Sequence, residues 1–174
     1  MLKTTANKIT LLRIALIPVF LLLAYRGYKI PALLVFIAAS LTDTLDGYIA
    51  RHYDQVSNFG KFMDPLADKM LVLAAMCFFV EKGQMPGWAV AIVLFREFAV
   101  SGLRLVAVEQ NRVIAAAWSG KIKTTCTMVG LCFLMVFGLV QAIRILVTAV
   151  ILITTVYSGV EYFMKNRDVF TDAD

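Results

Sequence analysis

Residues 31–68 read PALLVFIAASLTDTLDGYIARHYDQVSNFGKFMDPLAD. The stretch begins as a run of hydrocarbon side chains and then takes in four carboxylates, Asp43, Asp46, Asp64 and Asp68. On a helix, Asp43, Asp46, Gly47 and Ala50 fall at i, i+3, i+4 and i+7, one face. Gly60, Asp64 and Asp68 follow at i, i+4 and i+8, roughly one face of a second helix. A short polar loop joins the two, so the faces can meet. Each carboxylate at membrane depth costs roughly 2.5–3.5 kcal/mol, less near the interface. Four together also repel one another, so the cluster needs a cation among them. Oxygen-only ligands select hard ions such as Mg²⁺ or Mn²⁺. Carboxylates from two helices can hold two such ions about 3.5–4 Å apart, the spacing used in phosphoryl-type displacements. Gly47, Ala50 and Gly60 leave space for a ligand beside them. An ion path through a transporter, or pairing with basic neighbours, is the alternative reading of the aspartates.

Outward from this stretch the chain keeps the same character. Its 174 residues are 60% hydrophobic and 17% charged, and the mean hydropathy is +0.79. Soluble domains are about 45–50% apolar and about 25% charged. The excess is too large for a short chain to bury in a water-soluble core, and lipid covers it instead. A span takes about 20 mostly apolar residues. Six such runs are expected, at Leu11–Tyr25, Pro31–Ala50, Lys61–Val80, Gly87–Val108, Lys121–Gln141 and Ile145–Met164. The breaks carry turn chemistry, as in Arg26-Gly27-Tyr28-Lys29 and Glu81-Lys82-Gly83. The last break, around Gln141–Arg144, is the least marked. The expected fold is an all-α integral membrane protein, a bundle of about six transmembrane helices. It forms a single domain over residues 1–174, with a polar tail, Lys165–Asp174, that frays. The start resembles a signal peptide, with Lys3 and Lys8 ahead of an apolar run. No small-residue cleavage site closes that run convincingly, so a retained first helix is expected.

The formal net charge is +5. With six spans, thirteen of the seventeen Lys and Arg residues fall on the side of the termini and four on the other. That bias places both termini and the loops after spans two and four in the cytoplasm, against anionic lipid heads. Nucleic acid is not an expected partner, because no basic groove with interleaved aromatics occurs. Cys77, Cys126 and Cys132 lie in apolar runs without metal spacing and read as small buried hydrophobes. His52 reads as an interfacial residue, and Trp88 and Trp118 as belt residues. Asn7, Thr10 and Arg13 fit either a contact with the site or capping and anchoring of the first helix.

Residues Asp43 to Asp68 spell D-x2-D-G-x2-A-R-x8-G-x3-D-x3-D. This resembles, without a departure, the motif of the CDP-alcohol phosphatidyltransferase family. Asn7–Arg13, Asp64–Lys69, Arg96-Glu97-Phe98, Ser101–Arg104 and Gly120–Thr124 are similar to signatures of its phosphatidylglycerophosphate synthase branch. The likeness fades after about Gly130. The resemblance implies a metal-dependent enzyme that moves the phosphatidyl group of CDP-diacylglycerol to sn-glycerol 3-phosphate. It implies that Asp43, Asp46, Asp64 and Asp68 hold the metal, Mg²⁺ or Mn²⁺ and two ions, and that Asp68 is the general base. It also implies that Asp46, Gly47, Ala50, Arg51, Gly60 and Asp64 surround the CDP group, and that the protein is a homodimer. The planar fork of Arg51 suits a diphosphate.

The acceptor side is read from charge. Glu97, Ser101 and Arg104 form one stripe at i, i+4 and i+7, and Lys121 and Lys123 open the next span on the same membrane side. Arg104, Lys121 and Lys123 are the candidates for the acceptor's phosphate. Lys121 and Lys123 also fit ordinary anchoring, Arg104 an ion pair with Glu97, and Arg96 an internal ion pair. The rival functions are the same chemistry with serine, inositol phosphate or phosphatidylglycerol as acceptor, an ion-coupled transporter, and a non-enzymatic membrane scaffold.

Overall fold

The structure is a computed structural model. It describes the backbone of residues 5–52, 58–110, 112, 114–115 and 117–170, and the side chains of 10–42, 66–67, 69–110, 112, 114–115 and 117–169. Six helices account for nearly all of it, and no strand occurs among the described residues. The chain divides into two compact units, Met1–Lys82 and Gly83–Asp174.

The first unit holds α1 (Thr5–Tyr25), α2 (Lys29–His52) and α3 (Asn58–Glu81), each packed on the other two. Alanines at the contacts let these backbones approach: Ala32, Ala39, Ala67 and Ala75 are all buried. Phe20 of α1 and Phe36 of α2 fill the space between, ring centres 5.6 Å apart. Gly27 makes the turn from α1 to α2. Its φ of 81° is a left-handed conformation that costs glycine little. Tyr28 N–H then donates to Leu23 O and Gly27 N–H to Ala24 O, the paired bonds that close a helix end. At the far end of α3, Glu81 accepts from the Tyr25 hydroxyl, and the Lys82 ammonium lies 5.4 Å from the Tyr25 ring centre.

The second unit holds α4 (Gly87–Glu109), α5 (Trp118–Phe137) and α6 (Gln141–Lys165), followed by a 3₁₀ turn at Arg167–Phe170. Helix α6 packs on both α4 and α5. Its buried face carries Val147, Thr148, Ile151, Thr155, Ser158 and Tyr162.

Three sequence expectations change. The break between the last two helices lies at 138–140, not at Gln141–Arg144. Gly138 N–H bonds Leu134 O and Val140 N–H bonds Phe137 O, so three residues reverse the chain. A Cβ on Gly138 would stand 2.3 Å from the backbone oxygen of Leu134 and 2.5 Å from the Gln84 side chain, which explains the glycine. Gln141–Arg144 is then the first turn of α6, its polar side chains placed where backbone N–H groups lack helical partners. The tail does not fray at once: Val169 is buried with Leu103, Ala107 and Tyr162, Gln110 Nε2 donates to Val169 O, and Arg112 pairs with Asp168. That guanidinium holds the Asp168 carboxyl below the usual carboxylate range. Cys77 is exposed, not buried. It lies on the outward side of α3 with Leu66 and Met70, away from Ala67, Leu71 and Phe79.

Helices α5 and α6 are long and apolar enough to cross a membrane. Shorter apolar stretches run over Thr10–Tyr25 and Lys29–Thr42. Large apolar side chains stand exposed on every helix, Phe95 and Trp118 each at 77%.

Candidate active site

The backbone of α2 is helical through the first pair of aspartates, and that of α3 through the second. Asp43, Asp46, Gly47 and Ala50 therefore keep the one-face register read from the sequence, as do Gly60, Asp64 and Asp68. The two helices pack on each other within one unit. The side chains of Asp43, Asp46, Gly47, Ala50, Arg51, His52, Gly60, Asp64 and Asp68 lie outside the described residues. Carboxylates at these four positions of two packed helices would offer the all-oxygen ligands that suit a hard divalent cation. Among the described residues no group of three or more His, Cys, Asp and Glu side chains is placed to hold a metal.

The described neighbourhood of this register contains a cation. Arg13 of α1 is fully buried, as is Thr10 one turn before it. The Arg13 Nε donates to Thr42 Oγ1 at 3.3 Å, and the same hydroxyl donates to Ala39 O at 2.6 Å. Thr42 directly precedes Asp43 in the chain. A guanidinium stays charged when buried, so it brings fixed positive charge to the α2 segment where the aspartates begin. The sequence left Arg13 open between site contact and anchoring; the structure places it inside the unit.

The second unit assembles another polar cluster. Glu97 of α4 accepts from Lys123 Nζ at 2.7 Å and from Arg96 Nη1 at 3.0 Å. The three side chains are 19%, 5% and 12% exposed, so the cluster is largely dry. Arg96 also donates through Nη2 to the Ser158 hydroxyl of α6. Among the described residues one carboxylate thus carries two cations. Arg104 Nε donates to Tyr162 Oη at 2.7 Å, and its guanidinium lies 5.4 Å from that ring centre. Lys121 is exposed and reaches 5.2 Å from the Trp118 ring centre.

The three acceptor candidates therefore have different described partners: Lys123 has Glu97, Arg104 has Tyr162, and Lys121 has Trp118. The internal ion pair of Arg96 is present, with Glu97 as its partner. Ser158 and Tyr162 went unread in the sequence. A signal existed, since Thr155, Ser158 and Tyr162 recur at i, i+3 and i+7 as one polar stripe on an otherwise apolar span.

Glu97→Ala leaves Arg96 and Lys123 buried without their shared anion. Breaking a buried pair in this way costs about 3–5 kcal/mol. At about 2–4 °C per kcal/mol for a chain of this size, the thermal midpoint in detergent falls by about 6–20 °C. A shift under about 2 °C shows that the cluster does not hold α4 and α5 together.

Comparison with known proteins adds a family. A family model described as CDP-alcohol phosphatidyltransferase matches residues 3–157. A Bacillus subtilis (strain 168) protein named CDP-diacylglycerol–glycerol-3-phosphate 3-phosphatidyltransferase is 43% identical over 180 residues, covering 92% of this chain and 93% of the relative. An Escherichia coli (strain K12) protein of the same name is 38% identical over 136 residues, 73% of this chain and 74% of the relative.

Proposed function

Since the chain belongs to the CDP-alcohol phosphatidyltransferase family, we propose that it transfers the phosphatidyl group of CDP-diacylglycerol to sn-glycerol 3-phosphate, giving phosphatidylglycerophosphate and CMP. The observation that carries this reading is its similarity, along more than nine-tenths of both chains, to a protein whose name states that reaction. The unbroken aspartate motif from Asp43 to Asp68 supports it independently.

The enzyme works as a six-span membrane protein, with its termini and the α2–α3 connection on the cytoplasmic face. The exposed apolar side chains of all six helices and the distribution of Lys and Arg support that placement. The acyl chains of the substrate stay in the bilayer, so only the headgroup needs a polar cavity. Asp46, Gly47, Ala50, Arg51, Gly60 and Asp64 take the CDP group, with Arg51 hydrogen-bonding the diphosphate. Asp43, Asp46, Asp64 and Asp68 hold Mg²⁺ or Mn²⁺, which when bound polarises the diphosphate and stabilises the charge that builds on departing CMP. Asp68 takes the proton from the glycerol hydroxyl as its oxygen attacks the lipid-side phosphorus. The bond from that phosphorus to the CMP oxygen breaks, and CMP leaves with the bonding pair.

The test is CMP release by purified protein given CDP-diacylglycerol and a panel of acceptors. Glycerol 3-phosphate supports turnover well above serine, inositol phosphate or phosphatidylglycerol. Equal or faster release with any of these overturns the acceptor assignment. Vectorial ion uptake without CMP release overturns the enzyme reading as a whole.

Arg104, Lys121 and Lys123 select the acceptor through its phosphate. Losing one hydrogen bond to a charged group removes roughly 1.5–3 kcal/mol, about 10–150-fold in affinity. Arg104→Ala and Lys121→Ala therefore raise KM for glycerol 3-phosphate by about that factor and leave KM for CDP-diacylglycerol unchanged. The opposite pattern in steady-state kinetics shows that the two halves of the site are assigned the wrong way round.

A further inference from the structure

A cleft of 730 Å³ lies at the end of the second unit where α4 and α6 begin and α5 ends. Arg144 supplies its charge, and no Asp or Glu is among the described residues that line it. At 1.5 Å per residue Arg144 is roughly 21 Å along α6 from Ser158, the α6 partner of Arg96, so its charge is separate from the cluster around Arg96, Glu97 and Lys123. The Arg144 Nη1 donates to Gly83 O at 3.1 Å, which fixes the guanidinium at the cleft wall. Its Nε is buried and has no hydrogen-bond partner among the described residues. Both helix starts belong to the lining, through Pro86 and Trp88 for α4 and Gln141 for α6. Neither N-cap, Pro86 or Val140, places a side-chain hydrogen bond on its first turn. Two positive helix ends thus add to the Arg144 charge. Away from this polar end the lining is apolar apart from Thr148. Ile145, Ala149 and Leu152 follow at i, i+4 and i+7 along α6. Trp88, 60% exposed, adds an indole of the kind that sits at headgroup level.

We propose that this cleft binds an anionic phospholipid, with its phosphodiester against Arg144 and an acyl chain along the α6 wall. The charge selects the headgroup: a choline or ethanolamine cation meets no carboxylate among the described lining residues. The apolar wall selects a lipid over free phosphate, which leaves Ile145 and Leu152 uncovered. The proposal rests on the membrane reading given above. It does not rest on the assigned reaction, because the residues proposed for the CDP-lipid all lie on α2 and α3.

Native mass spectrometry of the purified full chain, released from detergent with dioleoyl phosphatidylglycerol or dioleoyl phosphatidylcholine, tests it. The wild type retains phosphatidylglycerol in preference to phosphatidylcholine. Arg144→Gln removes the charge, and Ala149→Trp fills the wall without touching the charge. Each weakens phosphatidylglycerol retention by about tenfold or more, the loss expected for one hydrogen bond to a charged group. CMP release by both variants stays at the wild-type level, which shows that they fold. Equal retention by the wild type and both variants overturns the site. So does phosphatidylcholine held as tightly as phosphatidylglycerol, or inorganic phosphate that displaces the lipid at equal concentration. If the retention pattern appears but no form of the protein releases CMP, the lipid site stands and the proposed reaction falls.

Discussion

Excess EDTA abolishes CMP release, and added Mg²⁺ or Mn²⁺ restores it. The expectation follows from the cost of the aspartate register itself. Asp43, Asp46, Asp64 and Asp68 sit on two helices that pack within one small unit. Four carboxylates on adjoining segments are retained at such a cost only where something compensates their charge. Arg13 is buried beside Thr42 and supplies one positive charge to that segment. Against four carboxylates that single charge leaves room for divalent metal, and two ions would more than balance the remainder and leave charge for a diphosphate. Full turnover in excess EDTA, with metal-free substrate and buffer, removes the metal from the mechanism.

Asp68→Asn lowers turnover by about 10²–10⁴-fold, the range that a positioned general base contributes. The amide keeps the size of the carboxylate and loses both its charge and its ability to take a proton. Asp68 lies on the same α3 register as Gly60 and Asp64, one turn beyond Asp64. The variant therefore still folds and still binds CDP-diacylglycerol, because most of the groups proposed for the nucleotide lie between Asp46 and Gly60. Turnover at a third of the wild-type rate, at any pH, shows that another group accepts the proton. Loss of CDP-lipid binding instead of turnover moves Asp68 from the base to the substrate pocket.

Helix number was legible because it depends on composition: six apolar runs separated by turn residues became six helices. Helix ends were less legible because they depend on hydrogen bonding. Gln141 and Arg144 look like loop residues by polarity, yet they occupy a first helical turn, where polar side chains are at home. The aspartate motif was legible because its spacing is a property of the chain alone. The acceptor side was not, because its geometry is set across long separations. Arg104 finds Tyr162 58 residues away, and Arg96 finds Ser158 62 residues away. Lys121 and Lys123 open α5 on the same membrane side, but residues two apart on a helix do not share a face. In the structure Lys121 is exposed by Trp118 and Lys123 is buried on Glu97.

The shared carboxylate of Glu97 also sets an order of events during synthesis. Arg96 is its neighbour in the chain, but Lys123 comes 26 residues later. At about 5–20 residues per second, α4 leaves the ribosome roughly 1–5 s before the ammonium that completes its charge cluster. Ser158, the other partner of Arg96, lies 62 residues on and arrives later still. Throughout that interval α4 carries the Arg96–Glu97 pair without the α5 and α6 groups that complete its cluster. Its settled position is therefore reached together with theirs, and the nascent second unit matures as a set of three helices, not one helix at a time.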